Sequence, residues 1–391
     1  IIQMDFKSLI TSFFFFSSLI FRKRNSQIIF IYLNHFNRSK GVNPFLKDMV
    51  SSCVNHKIDY LLIEDTDLKG AYKQPRDSRS IPFDFITLLI IVLKKINVTD
   101  KIIYDCLRIV FFRNLDFSLC INMAGHSGRL FSNLYKEKKI YEYQHGLVYN
   151  GRNWWSEKEF EEEDNLEPLV HGESFKKIII EKAKKAYFQS KQIEIIGYDP
   201  ISTNFNFSPN SKNIIFTLQL TIDNEKEEKI RYLEEIKSFF FKHSKFFEER
   251  EYQFLLIHHP RFDQEIFEDS TFTEYYKFIE EFRDISEVDK KDFLAHFTFN
   301  SSSVFEMSLQ GIPTFFLDYL ERRNPEIFNK IYEYPLDNFF IKKDLGENIL
   351  IGFMDNLSKD SSEMVTNWSK SFFNDYSEDN LISLIEKNQP I

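Results

Sequence analysis

Cysteine is scarce in this sequence: Cys53, Cys106 and Cys120 are the only three in 391 residues. An odd number without metal spacing argues against a disulfide framework and fits a reducing compartment, so the cytoplasm is the expected location. Glycine and proline are also few, 11 of each, which sets the chain apart from fibrous and low-complexity proteins. Basic residues number 50 against 59 acidic ones, a net charge of −9. The broad positive footprint of a nucleic-acid binder is therefore missing, and an anionic ligand would need a local site. Long apolar runs are missing too: LITSFFFFSSLIF (9–21) has 13 residues, short of the roughly 20 that span a bilayer as a helix. Its basic residues, FRKRNSQ, follow the run, whereas a signal peptide carries them in front, and no small-residue cleavage site is seen. The expectation is an extra N-terminal helix over 8–22 docked on the first domain, with peripheral contact at the inner face of the membrane as the alternative. Ile1-Ile2-Gln3 precede Met4, so residue 1 is not read as the natural start.

What the chain does have is material for a large core. Hydrophobic residues make up 43% and charged residues 28%, the balance of a folded globular protein. The length suits two domains. Phenylalanine occurs 44 times, read as compositional drift and given no functional weight.

Strand-like and helix-like runs alternate. IIFIYLN (28–34) predicts a strand, FLKDMVSSCVNH (45–56) a helix and YLLIE (60–64) a second strand. Helices follow over 83–96 and 101–114, then a strand over 115–123, a helix over 126–139 and the strand that IYEYQHG closes. Such repetition implies right-handed βαβ units on a parallel sheet, whose ligands gather beyond the carboxyl ends of the strands. Two glycine-bearing loops fall at such ends, Ala124-Gly125-His126-Ser127-Gly128 and Gln144-His145-Gly146.

After helix 170–189, strand 193–201 and a polar linker over 203–213, the pattern restarts. Strands are expected over 213–220, 252–260, 292–300 and 312–318, with helices over 225–249 and 301–311. Asn300-Ser301-Ser302-Ser303 ends a strand and begins a helix, where free N–H groups, hydroxyls and the positive helix end favour phosphate. An ordinary serine N-cap is the competing reading. No Walker-type lysine is present, which argues against P-loop hydrolysis. His259-Pro260-Arg261, at a neighbouring strand end, adds an imidazole and a guanidinium.

The series QHG, HGESF, IIGYDP, FTLQ, HHPR and FNSSSVFEMSLQGIPTFFLD resembles bacterial glycosyltransferases of the GT-B architecture, over residues 28–375. The His-Pro and Ser-Ser pair is similar to sialyltransferases and Kdo transferases that use CMP-sugars; the His-Gly element is similar to CDP-glycerol glycerophosphotransferases and capsule-polymer transferases. The resemblance implies an α/β fold of two Rossmann-like domains facing a cleft: an acceptor-binding domain over 1–203 and a nucleotide-sugar-binding domain over 204–391. It implies metal-independent inverting transfer from a CMP- or CDP-linked donor to a glycan or lipid-linked glycan, with no cofactor and no metal. His145 would be the general base. His259 would contact the nucleotide phosphate and offset charge on the leaving group, with Pro260 and Arg261 beside it. Asn300, Ser301, Ser302 and Ser303 would hold the phosphate, Glu306 the ribose or base, and Gly311-Ile312-Pro313 would close the site. Gly125, His126, Gln144 and Gly146 would line the acceptor side, although His126 also suits a helix cap. Sialyltransferases carry an acidic-acidic-Gly motif where this chain has Gln144-His145-Gly146, a departure from sialic acid transfer and from a carboxylate base.

Other candidates read as structural. Glu142 falls on the opposite strand face from Tyr143 and His145; His171 and His258 are read as packing residues. Residues 154–168 form an acidic segment read as a solvated loop, with Trp154 and Trp155 as possible sugar-stacking groups. Two alternatives stand beside the transferase: a UDP-sugar 2-epimerase-like enzyme, suggested by the similar serine helix, and a non-catalytic glycan-assembly scaffold.

Overall fold

The structure is a computed structural model; it describes residues 5–37, 41–65, 75–123, 126–144, 165–182, 192–199, 205–218, 226–259, 272, 274, 276–282, 285–289, 291–299, 301–318, 328–337, 339–342 and 347–389. The chain forms two compact units: Ile1–Leu68 with Lys73–Asp199 and Phe373–Ile391, and Lys69–Tyr72 with Pro200–Phe372.

The first unit carries a seven-stranded sheet made of β1 (Arg24–Leu33), β2 (Tyr60–Asp65), β3 (Ile81–Pro82), β4 (Leu115–Met123), β5 (Ile140–Tyr143), β6 (Leu166–Val170) and β7 (Glu194–Ile195). Their order is 3-2-1-4-5-6-7, and every pair is parallel. This is the Rossmann-like order, whose switch point falls between β1 and β4. Alternation within β1 feeds two cores, because successive side chains point to opposite faces. Ile29 and Ile31 join Phe16, Ile86, Leu107 and Phe112 on one side. Ile28, Phe30 and Tyr32 join Met49, Cys53 and Leu384 on the other.

The second unit repeats the arrangement with β9 (Asn213–Thr217), β10 (Gln253–Ile257), β11 (Ile279–Phe282), β13 (Ala295–Thr298), β14 (Thr314–Asp318) and β15 (Phe340–Lys342), in the order 11-10-9-13-14-15 and again all parallel. Its switch point lies between β9 and β13. A small sheet pairs β8 (Asn206–Phe207) with β12 (Asp292–Phe293). Phenylalanine builds this core: Phe239, Phe240 and Phe247 of helix Lys226–Glu249 are buried, and Phe247 meets Phe254 at 4.7 Å.

Four expectations are corrected. The last nineteen residues, Phe373–Ile391, belong to the first unit rather than to a 204–391 domain. The physical reason is that helix Glu378–Lys387 buries Leu381, Leu384 and Ile385 in the core beside β1 and β4. The acidic segment 154–168 does not end as a loop, because Leu166 to Pro168 lie in β6 between β5 and β7; residues 154–164 fall outside the described residues. The polar linker 203–213 contains β8, fastened by burial of Phe205 at 3% exposure. The strand expected over 292–300 is split, since β12 pairs with β8 while β13 enters the main sheet. The N-terminal helix runs from Phe6 to Ser18, with Asp5 capping the Ser8 N–H at 3.0 Å.

Candidate functional site

In the second unit, β9 and β13 end side by side, with Thr217 in register with Thr298. Beneath these ends lies His296, fully buried on β13. Its Nε2 bonds Thr217 Oγ1 at 2.8 Å and its Nδ1 bonds Thr314 Oγ1 at 2.9 Å. Thr217 Oγ1 also meets Ser303 Oγ at 3.1 Å, and Ser303 Oγ donates to Ser301 Oγ at 2.7 Å. Burial pushes the His296 imidazole down to about 3, so at neutral pH it is an uncharged link between hydroxyls, which burial favours.

This network divides the serines. The Ser301 N–H donates to Thr298 Oγ1 at 3.2 Å, and the Ser303 N–H donates to Ser301 Oγ at 3.1 Å. Ser301 is 5% exposed. Ser302 is exposed, sits at the N-cap of helix Ser303–Leu309 and makes no side-chain capping bond. The sequence pattern suggests three equivalent donors; the structure instead commits Ser301 and Ser303 to the fold and presents Ser302. The capping acceptor is Ser301, one residue earlier than the N-cap, and Ser302 is free to meet a ligand. Glu306 is half-buried in the first turn of that helix. Gly311 ends it at φ +72, where an added methyl would collide with Ser362, a conformation open to glycine at little steric cost.

His259 follows β10, the strand on the other side of β9, and is half-buried. The serine turn and His259 therefore flank the end of one central strand. His258 is buried and pairs with Glu281 at 3.4 Å, a packing role as expected. Asn300, Pro260 and Arg261 lie outside the described residues.

In the first unit, Gln144 directly follows β5. It is 2% exposed, and its Oε1 accepts the His171 N–H at 3.1 Å. The amide thus ties the end of β5 to the residue after β6. His145, Gly146 and Gly125 lie outside the described residues; His126 begins helix His126–Leu134, with its side chain outside the description. Glu142 is buried against Asn122 of β4, with which it hydrogen-bonds. Gly128 packs over this pair: a methyl there would collide with the Asn122 amide. His171 stacks on Tyr198 at 4.6 Å, in keeping with packing.

Sequence reading missed a second polar cluster, at the carboxyl ends of β1 and β2. Glu64 is fully buried and accepts from Asn34 at 2.6 Å, Asn37 at 3.1 Å and Ser80 at 3.0 Å. Arg76 bridges it to Asp84, at 3.3 and 2.8 Å. Beside it a cavity of roughly 200 Å³ is lined by Tyr32, Asn43, Lys47, Val50, Asp77 and Arg79. The available signal was a carboxylate at the end of an apolar strand; its partners come from loops of no distinctive pattern.

Neither a family model nor a curated relative matches the sequence. Solved structures do. The wall teichoic acid polymerase TagF soaked with CDPG is similar at a TM-score of 0.53 and 13% identity, covering 98% of this chain and 93% of its own. UDP-GlcNAc 2-epimerase from Methanocaldococcus jannaschii is similar at a TM-score of 0.51 and 11% identity, covering 92% and 100%. S. aureus MnaA with UDP is similar at 0.51 and 11%, covering 93% and 96%. At these identities the likeness establishes the fold: an α/β chain with the two Rossmann-like domains of the GT-B class.

Proposed function

We propose that the chain is a GT-B transferase. It moves a sugar, or a polyol phosphate, from a CMP- or CDP-linked donor to a hydroxyl of a cell-surface or lipid-linked glycan, in the cytoplasm and without a metal. The observation that carries this reading is the buried Thr217–His296–Ser303–Ser301 network, which fixes Ser302 beyond the switch point of the second sheet, with His259 on the other side of β9. A turn whose flanking residues Ser301 and Ser303 are held by a satisfied buried network presents the Ser302 hydroxyl from a preorganised backbone.

In sugar transfer the acceptor oxygen attacks the anomeric carbon while His145 takes its proton. The bond from that carbon to the donor oxygen breaks, and the electron pair leaves with the nucleotide phosphate, whose charge His259 and Ser302 offset. In polyol phosphate transfer the attack is on phosphorus and the bond to the nucleotide phosphate breaks. His145 follows Gln144, whose amide anchors the end of β5; that anchoring supports its assignment to the base.

Thermal shift with CMP, CDP and UDP tests the donor site: a cytidine nucleotide should bind and UDP should not. His145→Ala should keep nucleotide binding and lose transfer by roughly 10²–10⁴-fold, whereas His259→Ala should weaken binding itself. Full transfer by His145→Ala would remove the base assignment. A second reading, a UDP-sugar 2-epimerase-like enzyme, is supported by solved epimerases matching at a TM-score of 0.51; UDP binding with interconversion of UDP-GlcNAc would favour it.

A further inference from the structure

Residues 258 and 259 are both histidine, and the fold gives them different surroundings. Ile257, the last residue of β10, is in register with Thr217 of β9 on one side and with Phe282 of β11 on the other. The chain is gripped from both neighbours at this level. The Leu218 N–H donates to the Ile257 carbonyl at 2.8 Å, and the His258 N–H donates to the Phe282 carbonyl at 3.0 Å. The His258 side chain is 4% exposed, and its Nε2 lies 3.4 Å from Oε2 of Glu281. His259 follows, half-buried beyond the end of β10.

Glu281 is the unusual member of this group. Its neighbour on β11, Glu280, is exposed and meets Lys291 at 3.9 Å, the ordinary placement of a strand carboxylate. The Glu281 side chain turns inward and is 6% exposed. Its Oε1 accepts the Phe272 N–H at 2.7 Å while Oε2 faces His258. Phe272 is itself buried, against Phe240 of the phenylalanine core. One carboxylate thus joins a core residue to the residue after β10.

Such a placement is costly. A buried carboxylate is unfavourable unless its partners compensate it, and apolar side chains of similar volume would fill the space at least as well. Apolar contact is non-directional, however, whereas a buried polar pair holds the His258 ring in one orientation. With the backbone held by β9 and β11 as well, the chain leaves β10 in one direction, and that direction decides where His259 stands. It emerges level with Thr217, whose hydroxyl carries the serine network. A misplacement of about 1 Å can cost on the order of 10²-fold in a reaction.

We propose, on the reading of the second unit as a nucleotide site with His259 at the phosphate, that Glu281 is a positioning residue: by holding His258 against β11 it directs His259 at that phosphate. The carboxylate itself touches no substrate. The base that the nucleotide carries does not enter.

The test is calorimetric titration of the full chain with CDP and with UDP, using the one that the wild type binds. Glu281→Ala should weaken that nucleotide by roughly tenfold or more. Glu281→Gln, which keeps an oxygen for the Phe272 N–H and an amide for His258, should regain most of the loss. A double-mutant cycle separates positioning from lost stability: in a His259→Ala background Glu281→Ala should cost less than about twofold, because the group it positions is gone. Ile279→Ala, a buried change at the start of β11, should lower the melting temperature and leave affinity unchanged. If Glu281→Ala does not fold, Glu281→Leu, close in volume, takes its place in the cycle with the same expectation. Unchanged affinity in the folded Glu281 variant, or an equal loss in both backgrounds, overturns the proposal and leaves the nucleotide site standing. A wild type that binds neither nucleotide, or a His259→Ala variant that binds like the wild type, overturns the underlying reading and the proposal with it.

Discussion

Arg76 serves two carboxylates, Glu64 and Asp84, both fully buried. Removing one partner of such an arrangement leaves charge without its cation in a medium that solvates it poorly. Arg76→Ala should therefore cost about 3–5 kcal/mol of stability, read from denaturant unfolding, and Arg76→Lys should restore part of it. The serines make the opposite point, that neighbours of identical chemistry can carry different duties. Ser303→Ala breaks bonds to Thr217 and Ser301 and should lower stability by about 1–2 kcal/mol. Ser302→Ala should leave the melting temperature unchanged and weaken cytidine nucleotide binding by roughly 3- to 10-fold. A Ser302→Ala variant that binds nucleotide like the wild type would move phosphate contact elsewhere.

Elements followed the periodicity closely where they were long. Helix Lys226–Glu249 and strands β1, β2 and β4 lie close to where the pattern puts them. Short elements did not follow, because two-residue strands such as β3, β8 and β12 exist only by pairing with a neighbour. The same holds for helix Glu378–Lys387. Its amphipathic pattern predicts a buried face but cannot say which unit receives it. Leu381 is fully buried in the first unit's core, and Leu381→Ala should cost about 2–5 kcal/mol. Hydrogen exchange gives the specific readout: faster exchange in β1 and β4, with β9 and β10 unchanged. Faster exchange in β9 would contradict the assignment of this helix.

At the scale of the whole molecule, two buried histidines couple stability to pH. Burial lowers His296 to about 3, and burial with Lys242 nearby lowers His243 to about 4. In the unfolded chain both would titrate near the ordinary value of about 6.5. Below that value the unfolded state binds protons that the native state refuses, so stability is fully present above pH 6.5 and falls as the pH drops toward 4. The expected slope reaches about 1.4 kcal/mol per pH unit for each histidine. Urea unfolding at pH 7, 6 and 5, above the ordinary carboxylate range, measures it. Equal midpoints at the three values would show that these imidazoles take up protons in the native state.

Composition and periodicity determined by themselves that this is an α/β chain of parallel βαβ units with glycine- and serine-bearing loops at strand ends, because side-chain period and local turn chemistry are properties of neighbouring residues. The general location of the serine turn and of His259 was legible for the same reason. Which serine meets solvent, that Gln144 turns inward, that His296 underlies the site and that the last helix returns to the first unit were decided by tertiary structure alone. Each depends on groups that meet only when distant strands come into register: Thr217 and Ser303 are 86 residues apart, and Gln144 and the His171 N–H are 27 apart. Local sequence carries no record of such partners.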